Sequence, residues 1–152
     1  MAEKAQSDNV VELRARALRL LARREHTRQE LERKLSPHAG SSEDLKGLLT
    51  GLKQKNQLSE ERFAEERARS MSRRYGAARI RQDLKAKGVS EELISRFSSS
   101  ENEMQKAKEI LERKYRTPAA TREEKAKRMR FLQGRGFSFD IIRSVLSSRE
   151  AD

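Results

Sequence analysis

Apolar side chains return along this chain every third or fourth residue and almost never every second. Met104, Ala107, Leu111 and Tyr115 form one such row, and Ala64, Ala68, Met71 and Tyr75 form another. That spacing stacks side chains on a single helical face. Shorter rows follow: Ala77, Ile80 and Leu84, more weakly Ala126, Met129 and Leu132, then Leu45, Leu48, Leu49 and Leu52, then Leu93, Ile94 and Phe97, then Ile141, Ile142, Val145 and Leu146. The pattern predicts nine helices in three groups of three and no strand. The first group covers about 9–25, 28–36 and 42–55, the second about 60–75, 77–87 and 91–98, the third about 101–115, 122–134 and 139–148.

Polar residues mark where these helices begin and end. Thr27-Arg28-Gln29-Glu30, Ser100-Glu101-Asn102-Glu103 and Thr121-Arg122-Glu123-Glu124 fit the capping box, in which hydroxyl and carboxylate satisfy free amides reciprocally. Ser42, Ser59, Ser90 and Ser138 are predicted as simpler N-caps. Asn56, Gly76, Gly88 and Gly136 stand where a left-handed residue ends a helix. Pro37 and Pro118 fall in short breaks, and 36–41, 98–100 and 116–121 are the expected joints.

The segment from Leu84 to Ile94 has a gapless echo in Leu132 to Ile142, 48 positions on. Each reads as a basic helix end, a glycine stop, an apolar residue, a serine cap and a new helix. A repeated helix-turn-helix implies small units stacked in a row, none large enough to bury a core alone. The expected architecture is all-α: three tandem three-helix repeats, 9–56, 57–98 and 101–148, in an elongated, curved array. Such an array offers a long surface rather than a pocket.

Composition adds the sign of that surface. Among 152 residues, 35 Lys and Arg stand against 24 Asp and Glu, and only 34% of the chain is hydrophobic. A formal charge of +11 points to nucleic acid, an anionic protein or an anionic membrane. No segment approaches the roughly 18 apolar residues of a membrane span, and residues 1–11 lack the apolar stretch of a signal peptide. The absence of cysteine suits a reducing compartment. A soluble, cytoplasmic protein without a membrane partner is expected.

No catalytic or metal constellation can be assembled from these residues. His26 and His38 are the only histidines, His26 reading as a turn residue before a cap and His38 as part of a polar loop. Gly134-Arg135-Gly136 lacks the preceding strand and following Lys-Ser/Thr of a phosphate loop. Carboxylates sit at helical spacing from basic residues, as in Glu109 and Arg113, where surface pairing is their ordinary role. A non-enzyme without cofactor is expected.

The positive charge is clustered. Residues 67–87 carry Arg67, Arg69, Arg73, Arg74, Arg79, Arg81, Lys85 and Lys87 against Asp83 alone. Residues 14–34 carry eight basic side chains against three glutamates, and 122–135 carry six against two. Arginine dominates the central run, which favours bidentate contacts with phosphate or carboxylate over mere solubility. A solvated helical face is the alternative. The aromatic residues occupy packing positions and do not form a stacking platform. The middle helices lack side chains spaced for base edges, so any DNA binding is expected to be phosphate-driven and salt-sensitive.

The run Tyr75-Gly76-Ala77-Ala78-Arg79-Ile80-Arg81-Gln82-Asp83-Leu84-Lys85-Ala86-Lys87-Gly88-Val89 resembles the hallmark of the RecX family, regulators of the RecA recombinase. Leu58-Ser59-Glu60-Glu61-Arg62-Phe63-Ala64 and Leu21-Ala22-Arg23-Arg24-Glu25-His26-Thr27-Arg28-Gln29-Glu30-Leu31 are similar to two further segments of that family. The resemblance covers about residues 13–146. It implies a crescent-like helical protein in the groove of the RecA–DNA filament, inhibiting filament growth, ATP hydrolysis and strand exchange, and so regulating DNA repair, recombination and the SOS response. It assigns binding to Arg79, Arg81, Lys85 and Lys87, and the same role is expected of Arg28, Arg73, Arg74, Lys125, Lys127, Arg130 and Arg135. Their partners are RecA carboxylates or the phosphates of single- and double-stranded DNA, met by a monomer. Two positions depart from the family pattern. Arg128 stands where the 48-residue offset puts an apolar residue, leaving Ala126 and Met129 to cover that face, and Asn56-Gln57 replaces a Gly-aromatic step. The alternatives are a sequence-nonspecific architectural DNA-binding protein and a helical adaptor for an acidic partner.

Overall fold

The computed structural model describes the backbone of residues 2–151 and the side chains of residues 8–148. Among the described residues there are nine α-helices and no strand: α1 Ala2–Arg23, α2 Arg28–Leu35, α3 Ser42–Gln54, α4 Glu60–Ser72, α5 Ala77–Ala86, α6 Glu91–Phe97, α7 Glu103–Lys114, α8 Arg122–Gly134 and α9 Phe139–Ala151. The periodicity therefore located every helix, and α1 alone runs well beyond its expected start. A 3-10 turn, Ser36–His38, fills the first expected joint around Pro37.

The helices gather into two compact units, 1–66 with 86–90 and 67–85 with 91–152. In the first, α1 packs on α2 and α3. Leu13 and Ala17 meet Leu31, Leu35, Leu45, Leu49, Leu52 and Leu58, all within 4% of full burial. The turn 86–90 belongs to this unit because Gly88, at φ +88°, lies directly against the Gln29 side chain. In the second, α7, α8 and α9 enclose Ala107, Ile110, Leu111, Leu132, Phe137, Ile142, Val145 and Leu146. These leucine-rich clusters replace the thick core that the composition could not supply.

Most of the predicted caps are present. Thr27 and Thr121 both form complete capping boxes, and the hydroxyls of Ser59 and Ser138 accept the amides of Arg62 and Ile141. Asn56, Gly88 and Gly136 have positive φ, and Asn56 adopts 60° without any glycine.

Four expectations are corrected. The α3 cap is Ser41, whose hydroxyl accepts the Asp44 amide at 3.1 Å, and Ser42 is already helical. Gly76 is not left-handed, since Gly88 and Gly136 are the glycines with positive φ among the described residues. Ser100 is not a capping-box residue: Asn102 caps α7 at φ 61° without a side-chain bond. The Glu103 carboxylate instead accepts the Ala77 amide at the start of α5, 3.0 Å away, and pairs with Lys106 at 2.9 Å. Around the missing apolar position of α8, Met129 packs against the core as expected and Ala126 is half-buried. Arg128 itself is 6% exposed, with its guanidinium 4.5 Å from the Tyr115 ring centre and donating to the Thr117 carbonyl at 2.6 Å. An arginine fits an apolar slot because its plane stacks on an aromatic face and its stem is aliphatic. Met104, expected on the buried row of α7, is 41% exposed.

Candidate functional site

The second unit builds its site from two turns that cross. After α4 the chain closes a tight turn in which the amides of Arg74 and Tyr75 both bond to the Met71 carbonyl, at 3.0 and 2.9 Å. The next amide, Gly76, donates to the Arg135 carbonyl at 2.6 Å. A Cβ at Gly76 would lie 2.5 Å from the Gly136 carbonyl oxygen. One at Gly136 would lie 2.5 Å from the Arg79 Cβ. Glycine is thus needed at 76 for close approach, while Gly136, at φ +92°, needs it for conformation as well.

This crossing sets Arg73 and Arg74 beside Arg135, where α8 ends. Arg135 donates to the Arg74 carbonyl at 3.5 Å, and Arg113, in the last turn of α7, donates to the Arg73 carbonyl. Between them lies a groove of about 440 Å³ lined by Arg73, Arg74, Arg113, Lys114 and Arg135 over Ile110 and Phe131. Lys114 stands 4.7 Å and Arg135 5.1 Å from the Phe131 ring centre, and Arg135 also lies 5.3 Å from Tyr75. Stacking on aromatic faces steadies cations without neutralising them. No carboxylate lines the groove. Five positive charges around one concavity create a focused attraction for anions.

The other expected binding residues are distributed differently. Arg79 is exposed, 5.4 Å from the Tyr75 ring and 3.4 Å from the Gly134 carbonyl. Arg81 pairs with Glu91 at 3.1 Å and reaches the Ser98 hydroxyl at 3.3 Å. Arg67 forms a two-pronged bond with Asp83, at 2.9 and 3.2 Å. The central run is thus less bare than its local sequence suggests, because its counter-charge arrives partly from α6. The Arg81–Glu91 pair is exposed on both sides and holds Arg81 weakly, by about 1 kcal/mol or less. Lys85, Lys127 and Arg130 are exposed, whereas Lys87 and Lys125 are half-buried. Arg28 is turned to α3, bonding the Lys46 carbonyl and the Thr50 hydroxyl at 3.3 and 3.2 Å. Its guanidinium serves to fasten α2 to α3.

Sequence reasoning missed Arg113 and Lys114. They sit at a helix C-terminus, where basic residues have a local electrostatic role, and that role masked their place in the groove lining. It also missed a smaller groove in the first unit. There Arg16, Arg19, Arg23, Lys34 and His38 surround about 220 Å³ above Leu20 and Leu35. Beside it His26 is 1% exposed. Its Nδ1 lies 3.0 Å from the Arg24 carbonyl and its Nε2 3.1 Å from Lys34 Nζ. Lysine only donates, so Nε2 accepts and Nδ1 carries the proton. Burial, chiefly, holds the pKa of His26 below its ordinary value, opposed by the bond to Arg24. Among the described residues, no group of three or more His, Asp or Glu could hold a metal ion, and no helix is long and apolar enough to cross a membrane.

The fold is that of a tandem three-helix protein, and the groove of its second unit is lined by cations. Sequence models of the RecX first, second and third three-helix domains match residues 14–38, 59–96 and 101–146. The chain belongs to the RecX family. It is 41% identical over 144 residues to the regulatory protein RecX of Herbaspirillum seropedicae, covering 93% of this chain and 94% of that one. It is also 41% identical over 135 residues to that of Neisseria meningitidis serogroup C, with 88% of each chain covered. The crystal structure of RecX from Lactobacillus salivarius shares the fold at a TM-score of 0.79, with 21% identity and coverage of 96% of this chain and 99% of that one.

Proposed function

We propose that this chain is a negative regulator of the RecA recombinase that lies in the groove of the RecA–DNA filament. It acts by occupancy and without catalysis, suppressing ATP hydrolysis and strand exchange and thereby tuning DNA repair and recombination. It works as a cytoplasmic monomer, and its three helical units, 9–56, 57–98 and 101–148, supply successive contacts. The observation that carries this reading is the groove of five cations and no carboxylate, on a chain whose relatives are regulatory proteins. Exposed Lys85, Lys127 and Arg130 extend the positive surface of the same unit.

The test is inhibition of RecA on single-stranded DNA, read as ATP hydrolysis. The parent chain suppresses turnover in proportion to its concentration. Arg73→Glu with Arg74→Glu leaves helicity intact, because neither side chain holds the fold, and raises the inhibitory concentration at least tenfold. Full inhibition by the folded double variant defeats the assignment. A second reading, a nonspecific architectural DNA-binding protein, draws on the same cationic groove. It requires equal affinity for bare DNA and for RecA–DNA at physiological salt, whereas a filament regulator prefers the filament.

A further inference from the structure

In the first unit a buried ring and an exposed cation share one hydrogen bond. His26 is 1% exposed; its Nε2 accepts from Lys34 Nζ at 3.1 Å and its Nδ1–H donates to the Arg24 carbonyl at 3.0 Å. Both ring nitrogens are thereby used, and the neutral ring is the form that fits. A proton on Nε2 would leave two cations 3.1 Å apart with no acceptor between them, so protonation requires Lys34 to leave. The charges around the ring lean the same way. Arg24 and Lys34 oppose its protonation. Glu30 of α2 favours it but is engaged by Arg24 at 2.8 Å, and Glu25 is engaged by Arg62 of α4 at 2.9 Å. Lys34 also lines the first unit's groove. Arg16, Arg19 and Arg23 stand on one face of α1, and Lys34 and His38 close the ring from α2 and the 3-10 turn. No carboxylate belongs to that lining; Glu12 reaches Arg16 at 3.6 Å from outside it and is itself exposed.

We infer that this groove is a binding site for a compact, multiply charged phosphate group, a free or terminal di- or triphosphate, and that His26 and Lys34 form its latch. His26 holds the Lys34 ammonium to one side of the groove. A bound oxyanion draws Nζ away from Nε2, and the freed Nε2 takes a proton from water while lysine keeps its own charge. The imidazolium then adds to the attraction, so anion binding and proton uptake reinforce one another, each by the same factor. Compactness follows from charge density. Five cationic or titratable side chains converge on about 220 Å³. A DNA strand brings a single negative charge per nucleotide, and a peptide carboxylate is likewise single. A diphosphate or triphosphate gathers several charges on adjacent phosphorus atoms, and the arginine fork meets such oxygens in pairs. The site requires neither RecA nor DNA, and its test leaves both out.

The experiment is imidazole NMR of the full chain titrated with pyrophosphate, made simple because His26 and His38 are the only histidines. Sulfate, a compact ion that does not itself titrate near neutral pH, and a thymidine dinucleotide, a single phosphodiester, are compared with it. Pyrophosphate is expected to bind several-fold more tightly than sulfate and at least tenfold more tightly than the dinucleotide. Before addition the His26 proton resides on Nδ1; at saturation the titration midpoint of His26 moves upward. Arg19→Gln with Arg23→Gln should weaken pyrophosphate at least tenfold, while Arg130→Gln, in the other unit, leaves it unchanged. Lys34→Met, at an exposed position, should keep the helicity, weaken pyrophosphate several-fold and abolish most of the movement of His26. His38→Gln should leave that movement in place, which separates the latch from a histidine that lines the groove directly. A His26 midpoint that stays still as pyrophosphate binds, or that moves as far in Lys34→Met, overturns the inference. So does equal affinity for the dinucleotide, or pyrophosphate binding that the loss of both α1 arginines does not weaken.

Discussion

Alanine at position 76 separates two reasons for a glycine. Gly76 is buried, its backbone φ is not left-handed, and its amide bonds the Arg135 carbonyl at 2.6 Å. A Cβ there would meet the Gly136 oxygen at 2.5 Å and both the Gly136 carbonyl carbon and Phe137 Cδ1 at 2.8 Å. Relief requires the two turns to part by nearly an ångström. Gly136 has little room to yield, because it already lies against Arg79. Overpacking of this kind costs about 1–3 kcal/mol, and leaving a buried amide and its carbonyl unpaired costs about 1–3 kcal/mol more. The narrower unfolded ensemble of alanine returns about 0.4–1 kcal/mol. The expected net loss is about 2–4 kcal/mol, read as a fall in the urea midpoint at unchanged slope. Asparagine tolerates left-handed backbone, so Gly76→Asn would rescue a conformational requirement; against a steric one it fares no better than alanine. A midpoint for Gly76→Ala equal to or above that of the parent, or rescue by asparagine, refutes the crossing as the reason for this glycine.

Three further outcomes follow from other contacts. Arg128→Met keeps the volume and the Tyr115 contact while removing a buried charge, so its stability should fall within about 1 kcal/mol of the parent, against about 2–4 kcal/mol lost by Arg128→Ala; equal losses in urea titration would contradict the packing role. Burial holds His26 below its ordinary 6.5, so the folded chain keeps the ring neutral while the unfolded chain takes up the proton. The resulting stability is present above pH 6.5 and lost as pH falls through the lower folded value, and His26→Gln should flatten the decline in urea midpoint between pH 7 and 5. Glu103→Ala should cost about 1–3 kcal/mol by freeing the Ala77 amide, whereas Ser100→Ala should stay within about 0.5 kcal/mol; reversal of that order would restore the Ser100 capping box.

The helices were legible because their signals are local. Row spacing such as Ala107, Leu111 and Tyr115 and boxes such as Thr27 with Glu30 depend on neighbours within one or two turns, and these contacts form wherever the helix goes. Errors arose where a side chain turned from its own helix to another. Glu103 has the right spacing from Ser100 for a box, yet it spends its carboxylate on α5. Gly76 has the sequence context of a helix stop, yet another turn's backbone explains it. Arg81 lacks a local counter-charge, yet Glu91 supplies one from ten positions on.

The groove was illegible for the same reason on a larger scale. Its cations come from three segments, 73–74, 113–114 and 135, and each lies at the end of a helix, where basic residues are ordinary. Charge counting along the chain ranked 67–87 highest, and that run did contribute Arg73 and Arg74. It overvalued Arg67, which Asp83 engages, and it passed over Arg113, which looked paired with Glu109 at helical spacing. Arg113 instead bonds the Arg73 carbonyl. A carboxylate four residues away is only an exposed partner worth a few tenths of a kcal/mol, too little to hold an arginine against a carbonyl that a packed turn presents. The decisive quantity for a binding cation is therefore what the fold leaves it to do with its remaining N–H groups, and that follows from the crossing of two glycine turns rather than from the density of charge along the sequence.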